Sequence, residues 1–362
     1  MKKWLVIFFV CVAMVGLSAS ASAKVVIKFA NAGPDNPDNR SVKAIAIFKH
    51  NVEKRTHGAV EVQPYHARKL GDEREMMEGV RMGSIEMIFV SSGPIPGFFP
   101  PVMVFDIPYL FSSAPAAWEF FESDFGMKFA QSFLKKTGVR VLGITENGYR
   151  HFTNNKRPIK TPKDMKGLKI RTMQNPAHMA MVKALGADPT PIPFGELYMA
   201  LQQGVVDGME CPIVLIHDMK FYEVQNQMIL DGHLYNPLFI LANNKWFTTK
   251  LTKEQQKIIQ EEAILLAHVH DGFSQEANKV CEGKLRKHGM NIYKPTPEEL
   301  GQFKKIAQPA GLSFIRKKIG NEWVDEALAA AKKAEAKVGN NAEAFVKQHI
   351  KMANDLYKKI FK

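Results

Sequence analysis

The hydrophobic pattern of this chain changes period in a repeating order. VVIKFAN (25–31) is apolar and β-branched, as a strand requires, and SVKAIAIFKHNVEKRTHG (41–58) has helical spacing with Gly58 as its stop. AVEVQPY (59–65) then alternates as a half-buried strand does. In LGDEREMMEGVRMGSIEMIFV (70–90) acidic residues crowd a helix start, Gly83 ends the helix and another apolar strand follows. Strand and helix in alternation predict a mostly parallel sheet with crossover helices, hence an α/β protein.

Residues 93–115, GPIPGFFPPVMVFDIPYLFSSAP, interrupt that rhythm with six prolines and four phenylalanines. Such a run cannot sit inside a sheet. Its aromatic load predicts a loop that folds over a core or lines a cleft, core cover being the expectation. A second α/β block begins near Gly148. In TPKDMKGLKIR (161–171), Thr161 is an N-cap, Pro162 takes the first helical position and Asp164 completes a capping box; the turn ends at Gly167 and a strand begins. FGELYMALQQGVVDGMECP (194–212) repeats the plan, with a helix from about Gly195 to Gln203, Gly204 as stop and VVDGM as strand. After the strand in PLFILANNKWF (237–247), the chain turns helical and charged from Thr252 onward. The tail NAEAFVKQHIKMANDLYKKIF (341–361) is amphipathic with ordinary core residues on its apolar face, so it is expected to pack on the protein rather than on a membrane. Two blocks followed by late helices predict a two-lobed protein with a cleft between the lobes.

The first residues change where this protein is expected to work. Lys2 and Lys3 precede an apolar run from Trp4 to Leu17, and Ala21-Ser22-Ala23 forms a small-residue cleavage site, the pattern of a secretory signal peptide over 1–23. The run is shorter than the ~20 residues of a membrane span, and no later segment comes close. Val10 and Phe9 before Cys11 do not fit a lipoprotein processing site, so no lipid anchor is expected. Removing the leader takes two lysines and no acidic residue from a formal charge of +13. A basic exported protein suits anionic solutes, an anionic surface or solubility alone. Its Lys and Arg residues are scattered rather than interleaved with aromatics, which argues against nucleic acid. Beyond the leader only Cys211 and Cys281 remain; they are no disulfide framework, although they could pair.

Candidate chemistry narrows to arginines. No phosphate loop, G-x-G-x-x-G after a strand, G-x-S-x-G elbow, H-E-x-x-H or C-x-x-C is present. His268, His270 and Asp271 look metal-like, but residues two apart on a helix face different ways, so no metal is expected there. His151, His178, His217 and His233 are each alone in their segments. Arg150 and Arg171 both sit where a strand gives way to a loop, the end at which open parallel sheets bind ligands. Each alone reads as a surface ion-pair partner; together they form a plausible anion clamp.

The ordered set LGDEREMMEGVRMGSIEM, NGYRHFTNNKRPI, TPKDMKGLKIRTMQNP, LGADPTPIPFGELYMALQQGVVDGMECP and KFYEVQ resembles the solute-binding proteins of tripartite ATP-independent periplasmic (TRAP) transporters, from about Val26 to about Leu266. The resemblance implies a periplasmic-binding-protein-like α/β fold: two lobes, each a mostly parallel sheet flanked by helices, a ligand cleft between them, a long helix and a helical C-terminus. Lobe I is expected over 24–147 with 237–276 returning to it, lobe II over 148–236 with 277–338 returning, and a final amphipathic helix over 339–362. It also implies a periplasmic receptor, commonly a monomer without cofactor, that closes on an organic acid and hands it to a small and a large membrane permease subunit. Arg171 maps onto the family's carboxylate clamp, and Arg150 onto a second anion contact of the sialic-acid-binding branch. Phe194 would pack on the ligand's apolar face, with Asn31 and Glu73 lining the pocket. Two positions depart from that branch: Cys211 stands where it has a ligand-binding Asn, and Ser91 where it has a pocket Glu. Both changes remove polar contacts for a polyhydroxylated, amine-bearing sugar. Two other readings stand beside transport. One is a periplasmic enzyme binding an acid through Arg171 with Glu210 or Asp207 as base; the other is a same-fold receptor that serves a sensor.

Overall fold

The computed structural model describes residues 24–362, so the expected leader, with Cys11, lies outside the described residues. The first block runs β1 (Val25–Asn31), α1 (Arg40–Arg55), β2 (Val60–Tyr65), α2 (Glu73–Met82) and β3 (Met87–Ser91), with β1 parallel to both β2 and β3. Asn39 starts α1 by accepting from the N–H groups of Ser41 and Val42, which would otherwise lack partners. Asp72 and Glu75 form a reciprocal capping box on α2, and Gly83 closes that helix at φ 83°, where a side chain would be strained.

The proline-rich stretch folds as two short 3-10 segments, Ile95–Gly97 and Pro100–Asp106. Phe99, Phe105 and Phe111 are buried against phenylalanines of α3 (Ala114–Phe121) and α4 (Asp124–Thr137), mostly edge to face, as for Phe105 and Phe129 at 4.9 Å. This stretch therefore covers a core.

β4 (Val139–Asn154) is the axis of the molecule. Most of its length pairs antiparallel with β9 (Leu234–Asn243), which is buried at every position, and its far end pairs antiparallel with β7 (Gly208–Pro212). Beyond β7 lie β5 (Lys169–Thr172) and β6 (Asp188–Pro191), both parallel to their neighbours. The sheet order is β2-β1-β3-β9-β4-β7-β5-β6, with β8 (Gln227–Ile229) and β10 (Asn291–Tyr293) at its side. The lobes are thus parallel in their outer strands. The antiparallel centre arises because β4 and β9 run through both lobes in opposite directions.

In lobe II the Thr161–Asp164 capping box is present and Gly167 turns the chain at φ 74° into β5. The strand expected at VVDGM starts later, at Gly208, because Gly204 and Val205 still donate to carbonyls of α6 (Leu197–Gln202). α5 (Pro176–Ala184) and α7 (Ile213–Asp218) flank this lobe, and α8 (Asn244–Thr249) leads to α9 (Lys253–Lys287), a 35-residue helix about 50 Å long. Ile259, Ala263 and Leu266 of α9 pack in lobe I, whereas Cys281 and Leu285 pack in lobe II.

α10 (Pro297–Ile319) places Phe303 and Ala307 in the lobe II core. α11 (Asn321–Val338), grouped above with lobe II, instead lies on α3 in lobe I. Its alanine face (Ala327, Ala331, Ala334) is shallow enough for close approach to the phenylalanine core. The last helix, α12 (Ala342–Phe361), packs on α9 and α1 rather than standing free. Gly272 permits that crossing: a Cβ there would lie 2.3 Å from the His349 carbonyl oxygen. Among the described residues no helix is long and apolar enough to cross a membrane.

Candidate functional site: the cavity between the lobes

Asn31, Glu73, Ser91, Arg150, Arg171, Phe194 and Cys211 all line one cavity between the lobes. It encloses about 50 Å³, against roughly 300–1,000 Å³ for drug-sized sites. Arg171, Glu73 and Phe194 also line a wider vestibule of about 460 Å³. Asn31, Ser91, Arg171 and Cys211 come from the carboxyl ends of β1, β3, β5 and β7, Glu73 from α2 and Phe194 from the turn before α6. Arg150, expected where a strand gives way to a loop, instead lies within β4, because pairing with β9 and then β7 carries that strand on to Asn154.

The two expected arginines differ in their neighbourhoods. Arg150 is 1 % exposed and gives its fork to Glu210: Nε donates to Oε2, and Nη2 donates to Oε1 at 3.0 Å and to the Glu210 carbonyl at 2.6 Å. Nη1 donates to Asn236 Oδ1 at 3.1 Å. Arg171 is equally buried, yet its one hydrogen bond among the described residues runs from Nε to the Ile192 carbonyl, 2.9 Å, and no carboxylate lies within 4 Å of it. Burial pushes its guanidinium below the ordinary value, and Glu210 only partly offsets this. An arginine does not shed its proton under such pressure, so a buried cation remains with both Nη groups unspent.

Glu210 is the hub on the Arg150 side. His178 Nδ1 stands 3.7 Å from Oε1 and His233 Nε2 3.5 Å from Oε2, ion-pair rather than hydrogen-bond distances. Burial opposes ionisation of Glu210, but Arg150 and the two histidines outweigh it and hold the carboxyl well below its usual range. His178 is in turn held by Asp106 at 3.0 Å and His233 by Asp231 at 2.8 Å; burial opposes the charged form of each histidine, but its aspartate together with Glu210 overcomes this and raises it. A carboxylate so engaged is no general base. Asp207 lies away from the cavity, accepting from the Lys169 N–H at 2.9 Å with Lys156 Nζ 3.5 Å away.

The other lining groups are tuned individually. Asn31 is 2 % exposed; its Oδ1 meets His66 Nδ1 at 3.2 Å, while its Nδ2 is buried with no partner. Ser91 does not present a free hydroxyl: its N–H and Oγ both donate to Glu73, at 2.6 and 2.8 Å. Burial pushes the Glu73 carboxyl up. Cys211 and Cys281 are free thiols rather than a pair, and burial raises each to about 11, so both stay protonated at neutral pH. Phe194 carries Arg68 over its ring at 5.9 Å and meets Phe221 edge to face.

The metal-like trio does not converge. His268 pairs with Glu122 at the surface, while buried His270 bonds Ser41 at 3.0 Å and Asp271 accepts from Thr145 and from the Glu146 N–H.

Sequence reasoning missed Arg40 and Asn147, which line the same cavity. Arg40 is the first residue of α1 with no acidic residue in that turn, a cation set against the helix dipole. That misplacement was the available signal. Also unforeseen are two bonds that tie lobe I to lobe II at the mouth. The cap residue Asn39 donates from Nδ2 to Asp218 at 3.0 Å, and the cap residue Asp72 accepts from the Gly195 N–H at 2.9 Å.

Comparison with known proteins agrees with this architecture. The family model described as bacterial extracellular solute-binding protein, family 7 (DctP) matches residues 32–318. A solute-binding protein of Verminephrobacter eiseniae is 43% identical over 216 residues, a match spanning 60% of this chain and 64% of that relative's length. The sialic acid-binding periplasmic protein of Vibrio cholerae is 31% identical over 311 residues, 84% of this chain and 94% of that one. The crystal structure of a sugar acid binding protein from Advenella mimigardefordensis with galactonate superposes with a TM-score of 0.82 at 32% identity, covering 86% of this chain and 99% of the other. The chain belongs to bacterial extracellular solute-binding protein family 7, the DctP family of TRAP-transporter solute-binding proteins, and is a transport receptor rather than an enzyme.

Proposed function

We propose that this protein captures a small organic acid in the periplasm by seating its carboxylate on the two free Nη groups of Arg171, and delivers it to the membrane subunits of a TRAP permease. The observation that carries this reading is the buried Arg171 guanidinium with no carboxylate within 4 Å among the described residues. A bidentate carboxylate on such a fork makes charge-assisted bonds that fix orientation as well as charge. Asn31 Nδ2 offers a donor to a second ligand oxygen, and Phe194 an apolar wall. The sialic acid and galactonate bound by the two relatives named above are both carboxylates, which supports the class of solute. Arg150, neutralised by Glu210, acts as a brace for the wall with one Nη1 hydrogen left for a ligand. Closure is a hinge motion about β4 and β9, favoured by the ligand through contacts that exist only in the closed form.

A thermal-shift screen of the mature protein against organic acids, each beside its primary amide, tests this. Acids should raise the melting temperature and amides should not, because a ligand of the folded state stabilises as its concentration passes Kd. In Arg171→Gln that difference should vanish. Equal stabilisation of wild type and Arg171→Gln by the same acid would show that Arg171 does not hold the carboxylate.

A further inference from the structure

Phe194 separates two spaces. Its ring lines both the small cavity and the wider vestibule outside it, and it packs against the phenylalanine core of lobe I as well as a core of lobe II. Arg68 lines the vestibule alone. Its guanidinium lies over the Phe194 ring at 5.9 Å and makes one hydrogen bond among the described residues, from Nη1 to the Ala32 carbonyl at 3.2 Å. The residue after Phe194, Gly195, donates its N–H to Asp72 at 2.9 Å, and a Cβ there would lie 3.1 Å from Arg68 Nε and 3.4 Å from Asp72 Oδ2. Lobe I therefore meets the Phe194–Gly195 turn of lobe II so closely that little room is left for a side chain. The turn that carries Arg68 is strained: Ala67 and Arg68 follow one another in the left-handed region, at φ 54° and 60°, which glycine enters freely and other residues only at a cost. The chain at the end of β1 and just beyond it holds that turn, the Ala67 N–H donating to the Gly33 carbonyl at 2.8 Å and the Arg68 N–H to the Asn31 carbonyl at 3.1 Å.

We propose that Arg68 is the latch of a gate: from lobe I it holds the Phe194 ring of lobe II across the way out of the cavity, and so sets how long a captured solute stays. This rests on the reading of Phe194 as a wall of the solute cavity. Arg68 does not reach the cavity itself, so it is a positioning residue that acts through the ring. A guanidinium over an aromatic face is attracted to it, more so where water is partly excluded, and here the two groups belong to different lobes. The contact exists only when the lobes meet. It therefore favours the closed form and slows opening, and adds nothing to the stability of the open one. The strained turn has its counterpart in this contact, because the left-handed backbone at Ala67 and Arg68 aims the guanidinium at the ring of the opposite lobe.

Single-molecule energy transfer between dyes on Met82→Cys in lobe I and Met199→Cys in lobe II reads the dwell time of the closed form; both positions are exposed, and Cys211 and Cys281 are buried. The mature protein is measured without solute and with D-galactonate, D-erythronate and succinate in turn. Arg68→Ala should shorten the closed dwell about fivefold in every condition, and Arg68→Lys, which keeps a cation over the ring, by less. In a Phe194→Leu background Arg68→Ala should change the dwell by less than about 1.5-fold, because the ring it acts on is gone. An unchanged dwell in Arg68→Ala overturns the latch, and so does an equal shortening in the Phe194→Leu background, which would place the action of Arg68 elsewhere. A lower solute-free melting temperature in Arg68→Ala with the dwell unaltered would make Arg68 a structural residue only, and overturns it too. Arg171→Gln separates the two readings: it should remove any lengthening of the dwell by the acids while keeping the Arg68 contrast in solute-free protein. Acids that fail to lengthen the wild-type dwell would count against the clamp, and the solute-free dwell times would still decide the latch.

Discussion

Two buried arginines, on β4 and β5 with β7 between them, face one cavity in opposite electrostatic conditions. Around Arg150 every charge is answered: Glu210 takes the guanidinium, His178 and His233 stand by Glu210, and Asp106 and Asp231 hold the histidines. Around Arg171 a backbone carbonyl is the sole protein partner among the described residues. A self-answered network stabilises the fold, and an unanswered one destabilises it until a solute arrives. In the proposed clamp, binding is assigned to the charge that lacks a protein partner, more than to the charge alone.

The sharpest way to break that contrast is Glu210→Gln. It leaves Arg150 and two buried histidines without their anion, and should cost about 3–5 kcal/mol of stability, read as a fall in the urea midpoint of the ligand-free protein. Next is Arg171→Ala, which should weaken acid binding by about 2–5 kcal/mol in calorimetry. The ligand-free protein should keep or gain stability, because no charged partner is orphaned and the only bond lost among the described residues is the one to the Ile192 carbonyl. A loss of stability in Arg171→Ala comparable with that in Glu210→Gln would erase the distinction between the two arginines.

Asp218→Ala removes the bond from Asn39 at the cavity mouth. A net hydrogen bond of about 1 kcal/mol present only when the lobes meet should speed ligand release about fivefold in stopped flow, with little change in the ligand-free melting temperature. An unchanged release rate would mean that this bond persists in the open form.

The smallest effect is on pH dependence. Asp106 and Glu210 raise His178 above its ordinary 6.5 despite burial, so its contribution to stability is complete below about 6.5 and is lost as pH climbs through the raised value. The melting-temperature gap between wild type and His178→Gln should therefore be widest near pH 6 and narrow on the alkaline side. A gap that widens with pH would reverse the assignment.

The residues themselves explain which parts of this molecule were legible in advance. Apolar strands, the Thr161–Asp164 box and the glycine stops are local signals, and they mark β1, β3, β5 and the turn into β5 directly. Arg171 was legible from its place at a strand end. That it lacks a carboxylate while Arg150 has one was not, because this depends on β4 and β7 pairing so that Glu210 enters the Arg150 side. Arg40 carried a faint local sign, its position at a helix start, that a reading centred on strand ends passes over. The placement of α11 was invisible for another reason: an alanine face fits either lobe, and only the depth of the phenylalanine core beneath α3 decides between them.

The most direct test of the unanswered arginine is a crystal structure of the mature protein grown with the acid that stabilises it most. Two ligand oxygens should lie within hydrogen-bond distance of the Arg171 Nη groups, with Glu210 still on Arg150. A ligand carboxylate seated on Arg150, with Glu210 displaced and Arg171 bonded to protein alone, would contradict it.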